Sequence, residues 1–156
     1  MHVAVAVTAA APREVVWSVV SDIENAASTI SAIDSVEVLE RPANGLVGLK
    51  WRETRTLFGK SATETMWITD AEERSHYATE ARSHGSVYRT TLRLRDAGIG
   101  TRIEMTFSAE AVSLGARVLS FLLRPIMRRS IANALQGDLE QVRAAAEARS
   151  ASGRLG

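Results

Sequence analysis

Residues 86–110 read SVYRTTLRLRDAGIGTRIEMTFSAE. In an extended chain Tyr88, Thr90, Leu92 and Leu94 share one face, and Arg89, Thr91, Arg93 and Arg95 the other. After the turn signal Asp96-Ala-Gly-Ile-Gly100 the pattern resumes. Ile103, Met105, Phe107 and Ala109 alternate with Arg102, Glu104, Thr106 and Ser108. A period of two on both sides of a glycine-containing turn is an antiparallel hairpin with one covered and one solvated face.

Working back toward the N-terminus, the same period holds as far as Ile33. Strands are expected over 34–41, 47–57, 61–69 and 74–82. They are separated by Pro42-Ala-Asn-Gly45, Phe58-Gly59, Asp70-Ala-Glu-Glu73 and Ser83-His84-Gly85. Short connections between successive strands make a meander. Val3, Val5 and Val7 alternate with small residues and predict a first strand. Between it and the meander, Pro12 opens a run in which Val15, Val16, Val19 and Val20 recur at helical spacing. Two short helices are expected there, over about 12–21 and 24–30.

Working forward, residues 113–148 are helical in pattern, with a stripe from Leu119 through Ile131, Leu135 and Leu139 to Val142. A straight helix of that length would be about 54 Å long. Pro125 is therefore expected to kink or split it. The polar tail 149–156 is expected to be flexible, leaving 1–148 as one domain.

The composition agrees. The chain has 156 residues, about one domain, with 46 % hydrophobic and 24 % charged residues. Aromatics are only 5 %, so the core is mostly aliphatic. The absence of cysteine excludes disulfides, thiolate metal sites and a cysteine nucleophile. A net charge of +1 gives no general reason to bind nucleic acid. The longest apolar run, Val118 to Met127, falls short of the ~20 residues of a membrane span. With no signal-peptide pattern at the N-terminus, a cytoplasmic protein is expected.

The order is strand, two short helices, six antiparallel strands and one long amphipathic helix. Both apolar faces are buried most simply if the sheet curls around the last helix. This is an α+β helix-grip architecture of six to seven strands, and such a grip leaves room for a small apolar molecule. Ala11-Pro12 through Trp17, Trp51-Arg-Glu-Thr-Arg55, Phe58-Gly59, Gly100-Thr-Arg102 and Gly137-Asp-Leu-Glu140 carry a resemblance over about residues 2–148. In their order and spacing they resemble the polyketide cyclase/dehydrase branch of the START-like (SRPBCC) superfamily. The resemblance implies the helix-grip fold and hydrophobic-ligand binding, with aromatase/cyclase enzymes as a subset.

The hairpin around Phe58-Gly59 holds the candidate chemistry. A two-residue turn there places Trp51 opposite Met66, Glu53 opposite Glu64 and Arg55 opposite Ala62. Two facing carboxylates repel, so one takes a proton or a cation sits between them. Arg55 is the candidate cation. Glu53 and Glu64 are candidate acid/base groups, a structural ion pair being the plainer alternative. Tyr77 and Tyr88 are expected on inner faces, as ligand-orienting hydroxyls or as core tyrosines.

The expected ligand-binding set is Trp51, Arg55, Met66, Tyr77, Tyr88, Leu92, Met105 and Phe107 from the sheet. Leu123 and Met127 join it from the helix. Arg124, Arg128 and Arg129 read as a solvated face, with an anionic head group as the alternative. His84 reads as a turn residue, and three scattered histidines predict no metal site. No cofactor motif is present. Three functions remain open: a binder of a small hydrophobic molecule such as a lipid, isoprenoid or polyketide; a cyclase- or dehydratase-type enzyme; and a protein-interaction module.

Overall fold

The computed structural model describes residues 1–57 and 59–154, with backbone alone at 116 and 118–123. Seven strands form one antiparallel sheet: β1 (His2–Ala9), β2 (Ile33–Glu40), β3 (Lys50–Leu57), β4 (Lys60–Glu72), β5 (His76–Ser83), β6 (Ser86–Ala97) and β7 (Gly100–Ala111). Their order across the sheet is β1-β7-β6-β5-β4-β3-β2. β2 to β7 are a meander, as the turn signals require. β1 joins the far edge beside β7, and the chain then crosses to the opposite edge through α1 (Arg13–Val20), a 3-10 turn (Ile23–Asn25) and α2 (Ala26–Thr29).

The hairpin registers follow the side-chain alternation. Leu92 faces Met105 and Leu94 faces Ile103 across β6 and β7. Trp51 pairs with Met66, Glu53 with Glu64 and Arg55 with Ala62 across β3 and β4. Register shifts at Ile33/Ser35, Val38/Glu40 and Ile68/Asp70 mark bulges. The bulge in β4 changes the phase of alternation. Met66 and Ile68 point inward before it and Ala71 after it, and this local bend curves the sheet.

The β1–α1 corner is fixed by β7. A Cβ added to Gly100 would lie 2.3 Å from the Ala9 carbonyl oxygen. The next residue, Thr101, is fully buried and donates its hydroxyl to the Ala11 carbonyl at 2.8 Å.

α3 runs from Leu114 to Arg154, 41 residues with Pro125 inside. At the ordinary helical rise it is about 60 Å long. Of the two outcomes expected at Pro125, a split does not occur: the helix is one continuous element through it. One sequence expectation changes here, because the helix continues to Arg154 where the sequence predicts a flexible tail from 149, and Ser150 within that stretch is buried. The helix has length to spare before it meets the cavity, which it lines from Ser130 on. Every residue from Val112 to Arg129 whose side chain is described is exposed, including Ile126 and Met127.

The apolar interior is divided. One cluster joins Val7, Val16, Val20, Leu92, Ile103, Leu139 and Val142 between β1, β6, β7, α1 and the second half of α3. A smaller one joins Ile23, Leu49, Trp51 and Ile68 near β3 and β4. Tyr77 packs against both. A cavity remains between them.

Candidate functional site

The cavity has a volume of about 450 Å³ and lies under the concave face of the sheet, roofed by α1, α2 and the stretch of α3 from Ser130 to Val142. It opens beside a smaller cleft of about 220 Å³ that shares Leu57, Ala134 and Asp138 with it. Apolar side chains dominate the wall: Ile23, Ile33, Met66, Leu92, Met105 and Phe107 among them. Small residues at Ala62, Ala81 and Ala134 leave the space unfilled.

The charged groups of the interior come from β3, β4 and α3: Glu53, Arg55, Glu64 and Asp138. β3 alternates, so Trp51, Glu53 and Arg55 all point inward from one strand. Glu53 is buried, and both its oxygens are engaged: Oε1 accepts from Arg55 Nε at 2.5 Å and Oε2 from Trp51 Nε1 at 3.3 Å. Arg55 reaches on to α3, where Nη1 donates to Asp138 Oδ2 at 2.8 Å. Asp138 is only 5 % exposed. Burial opposes the charge on Arg55, but Glu53 and Asp138 outweigh it and hold the guanidinium above its ordinary pKa. Burial pushes the Asp138 carboxyl above the usual aspartate value despite Arg55, and Glu53 adds to the rise.

Glu64 lines the cavity opposite Glu53, half-buried, and makes no hydrogen bond or ion pair among the described residues. The repulsion expected between the two carboxylates is thus relieved on one side only. Arg55 pairs with Glu53 and with Asp138, not with Glu64. Tyr77 stands edge-on to Trp17, centroids 6.2 Å apart, and burial lifts its phenol well above the ordinary tyrosine pKa. Tyr88 stacks on Phe107 at 6.0 Å. Both tyrosines face the cavity.

The structure brings Trp51, Glu53, Arg55, Glu64, Met66, Tyr77, Tyr88, Leu92, Met105 and Phe107 to one wall. Met127 is a correction. It lies outside the lining, on a stretch of α3, Arg124 to Arg129, whose side chains are all exposed. Ser130, Ile131, Ala134, Leu135, Asp138 and Val142 form the helical wall instead. The Leu123 side chain lies outside the described residues. Asp138 was missed as a site residue, although a signal existed. It falls three residues after Leu135 and four before Val142, on the apolar stripe itself.

The histidines stand apart from the cavity. His76 Nε2 lies 2.9 Å from Asp70 Oδ2, and His84 takes a left-handed turn conformation, φ 50°. Among the described residues no group of three or more His, Asp or Glu is placed to hold a metal, and no helix is long and apolar enough to cross a membrane.

A curved antiparallel sheet gripping a long C-terminal helix defines the helix-grip class. The chain belongs to the family described as polyketide cyclase/dehydrase and lipid transport, whose pattern it matches over residues 1–147. No curated protein matches the sequence. Among solved structures it is similar to TTHA0849 from Thermus thermophilus, with 18 % identity, 96 % of this chain and 99 % of that one covered, and a TM-score of 0.80. It is also similar to the Zhui aromatase/cyclase from Streptomyces sp. R1128, with 21 % identity, 96 % and 94 % covered, and a TM-score of 0.71. A START superfamily protein from Mycobacterium smegmatis aligns with 21 % identity, 90 % and 98 % covered, and a TM-score of 0.65. At these identities the likeness is one of fold.

Proposed function

We propose that this protein binds a small hydrophobic molecule in the cavity between the sheet and α3. The observation that carries the reading is the cavity itself: about 450 Å³ and walled mainly by apolar side chains, with its buried charged groups drawn from β3, β4 and α3. That is the size and character of a small-molecule site. An interior this well supplied with Leu, Ile and Val could have closed by collapse. Instead it keeps an open cavity, beside which the Glu53–Arg55–Asp138 bridge joins β3 to α3. Family membership supports the same reading. Native mass spectrometry of protein purified from its own host tests it. A co-purified small molecule, or uptake of a neutral apolar probe with a defined stoichiometry, is expected. A clean apo mass without probe uptake would overturn it.

A second reading, chemistry on the bound molecule, is favoured by one observation: Glu64 faces the cavity without a partner among the described residues, on the wall that also carries Tyr77 and Tyr88. A lone carboxylate beside a pocket is a candidate general base. Glu53 fits the role less well, because both its oxygens are already engaged. The test is turnover of polyketone substrates by the wild type and by Glu64→Gln. An enzyme loses turnover in the variant with binding retained.

A further inference from the structure

The charges around the cavity do not balance. Its described lining holds four carboxylates, Asp22, Glu53, Glu64 and Asp138, against a single guanidinium, Arg55. Asp22 is at the rim, where Asn25 donates to it and water screens it. The other three carboxylates are buried or half-buried. Arg55 uses Nε on Glu53 and Nη1 on Asp138, so its charge is matched by its own neighbours. Glu64 is left over. Even with a proton shared within the Glu53–Arg55–Asp138 bridge, the inner wall keeps an excess of negative charge. This excess is local, since the whole chain is at +1.

From this we infer the chemical class of the ligand: an apolar molecule whose polar end is cationic or a neutral hydrogen-bond donor, such as an amine or an alcohol, and not a free carboxylic acid. The inference rests on the proposal that the cavity binds a small hydrophobic molecule, and specifies which kind. A carboxylate entering the pocket would meet Glu64 with no free cation opposite it among the described residues, in surroundings where like charges are poorly screened. An ammonium or hydroxyl donor would give Glu64 the partner it lacks, and an alcohol could also accept from the Tyr77 or Tyr88 hydroxyl. The apolar remainder would lie against Leu92, Met105 and Phe107.

The experiment is displacement of Nile red, a neutral apolar dye, from the full chain at pH 7. The competitors are dodecylamine, dodecanol and laurate, each below its micelle threshold. Their hydrocarbon is the same, so only the head group varies. Dodecylamine and dodecanol are expected to displace the dye at concentrations roughly tenfold or more below laurate. Glu64→Gln, which leaves the Arg55 bridge intact, should narrow the gap between amine and laurate several-fold. Glu110→Gln, on an exposed acid away from the cavity, should leave it unchanged. Laurate competing as well as dodecylamine, or a preference that responds equally to both variants, would overturn the inference while leaving the cavity reading standing. No uptake of Nile red by the wild type would overturn the cavity reading, and the inference with it.

Discussion

Arg55 on β3 and Asp138 on α3 are joined by a 2.8 Å hydrogen bond between Nη1 and Oδ2, across 83 residues of sequence. Among the described residues this is the ion pair that ties a strand to the long helix. Its other end is Glu53, which is in turn held by the Trp51 indole. The sheet and the helix therefore meet through a four-residue polar chain at one side of an apolar cavity. Many ion pairs on the outer face, such as Arg52–Glu37 and Arg89–Glu110, are exposed and contribute little to stability. The bridge is different because both its carboxylates are buried.

Removing the guanidinium should therefore cost stability. Arg55→Met leaves Glu53 and Asp138 buried without their cation. Breaking a buried pair in this way costs about 3–5 kcal/mol. Arg55 is 27 % exposed, so water enters part of the gap and a loss of about 2–3 kcal/mol is expected. Urea denaturation measures it. The triple variant Arg55→Met, Glu53→Gln, Asp138→Asn should regain most of the loss, because the bridge then leaves no unpaired charge of its own inside.

Asp138 gives a pH dependence of definite sign. Its carboxyl pKa is raised in the folded state, chiefly by burial, above the ordinary value of 3.8. The folded protein thus binds that proton more tightly than the unfolded chain does. The stabilising contribution is complete below about pH 3.8 and is lost as pH rises through the raised folded value. Asp138→Asn, which keeps an acceptor for Arg55 without the charge, should remove this decline. At neutral pH the variant should be as stable as the wild type or slightly more so. The check is the difference in unfolding free energy between the two proteins from pH 4 to 8. A difference that moves in favour of the wild type as pH rises would contradict the assignment.

Gly100 is held to glycine by contact rather than by backbone conformation. A methyl there meets the Ala9 carbonyl oxygen at 2.3 Å, and the neighbouring backbone atoms leave no room to yield. Gly100→Ala should destabilise by roughly 1–3 kcal/mol, the cost of overpacking. Gly98, which has open space around it but a φ of 64°, should respond to Gly98→Ala through backbone strain alone, at about 1 kcal/mol. Thermal unfolding of the two variants separates these effects.

The β2–β7 meander and the β3–β4 register were legible in the sequence because short turns join successive strands and alternation reports which face of a strand is covered. The pairs Trp51–Met66 and Glu53–Glu64 follow from a two-residue turn by counting. The helical wall was less legible. The stripe from Leu119 to Val142 says which side of α3 is apolar, but not how far along its axis the sheet reaches. Met127 and Ile131 belong to the same stripe, yet only Ile131 reaches the cavity. The partner of Arg55 was hidden for a related reason. Register arithmetic links neighbouring strands, and Asp138 lies 83 residues away on another element.

The cavity can be closed without touching the polar bridge. Ala134 lies on α3, half-buried, and lines both the main cavity and the cleft beside it. Ala134→Phe would place a ring in empty space, so it displaces no packed side chain and should leave stability unchanged or raise it by about 0.5–2 kcal/mol. If the cavity is the binding site, Nile red uptake should fall by at least roughly tenfold, since a phenyl group occupies volume that the dye needs. Ala144→Phe, on the exposed side of the same helix, adds the same ring without filling the cavity and should retain uptake. Equal uptake by both variants, with folding intact by circular dichroism, would place the apolar binding site elsewhere on the protein.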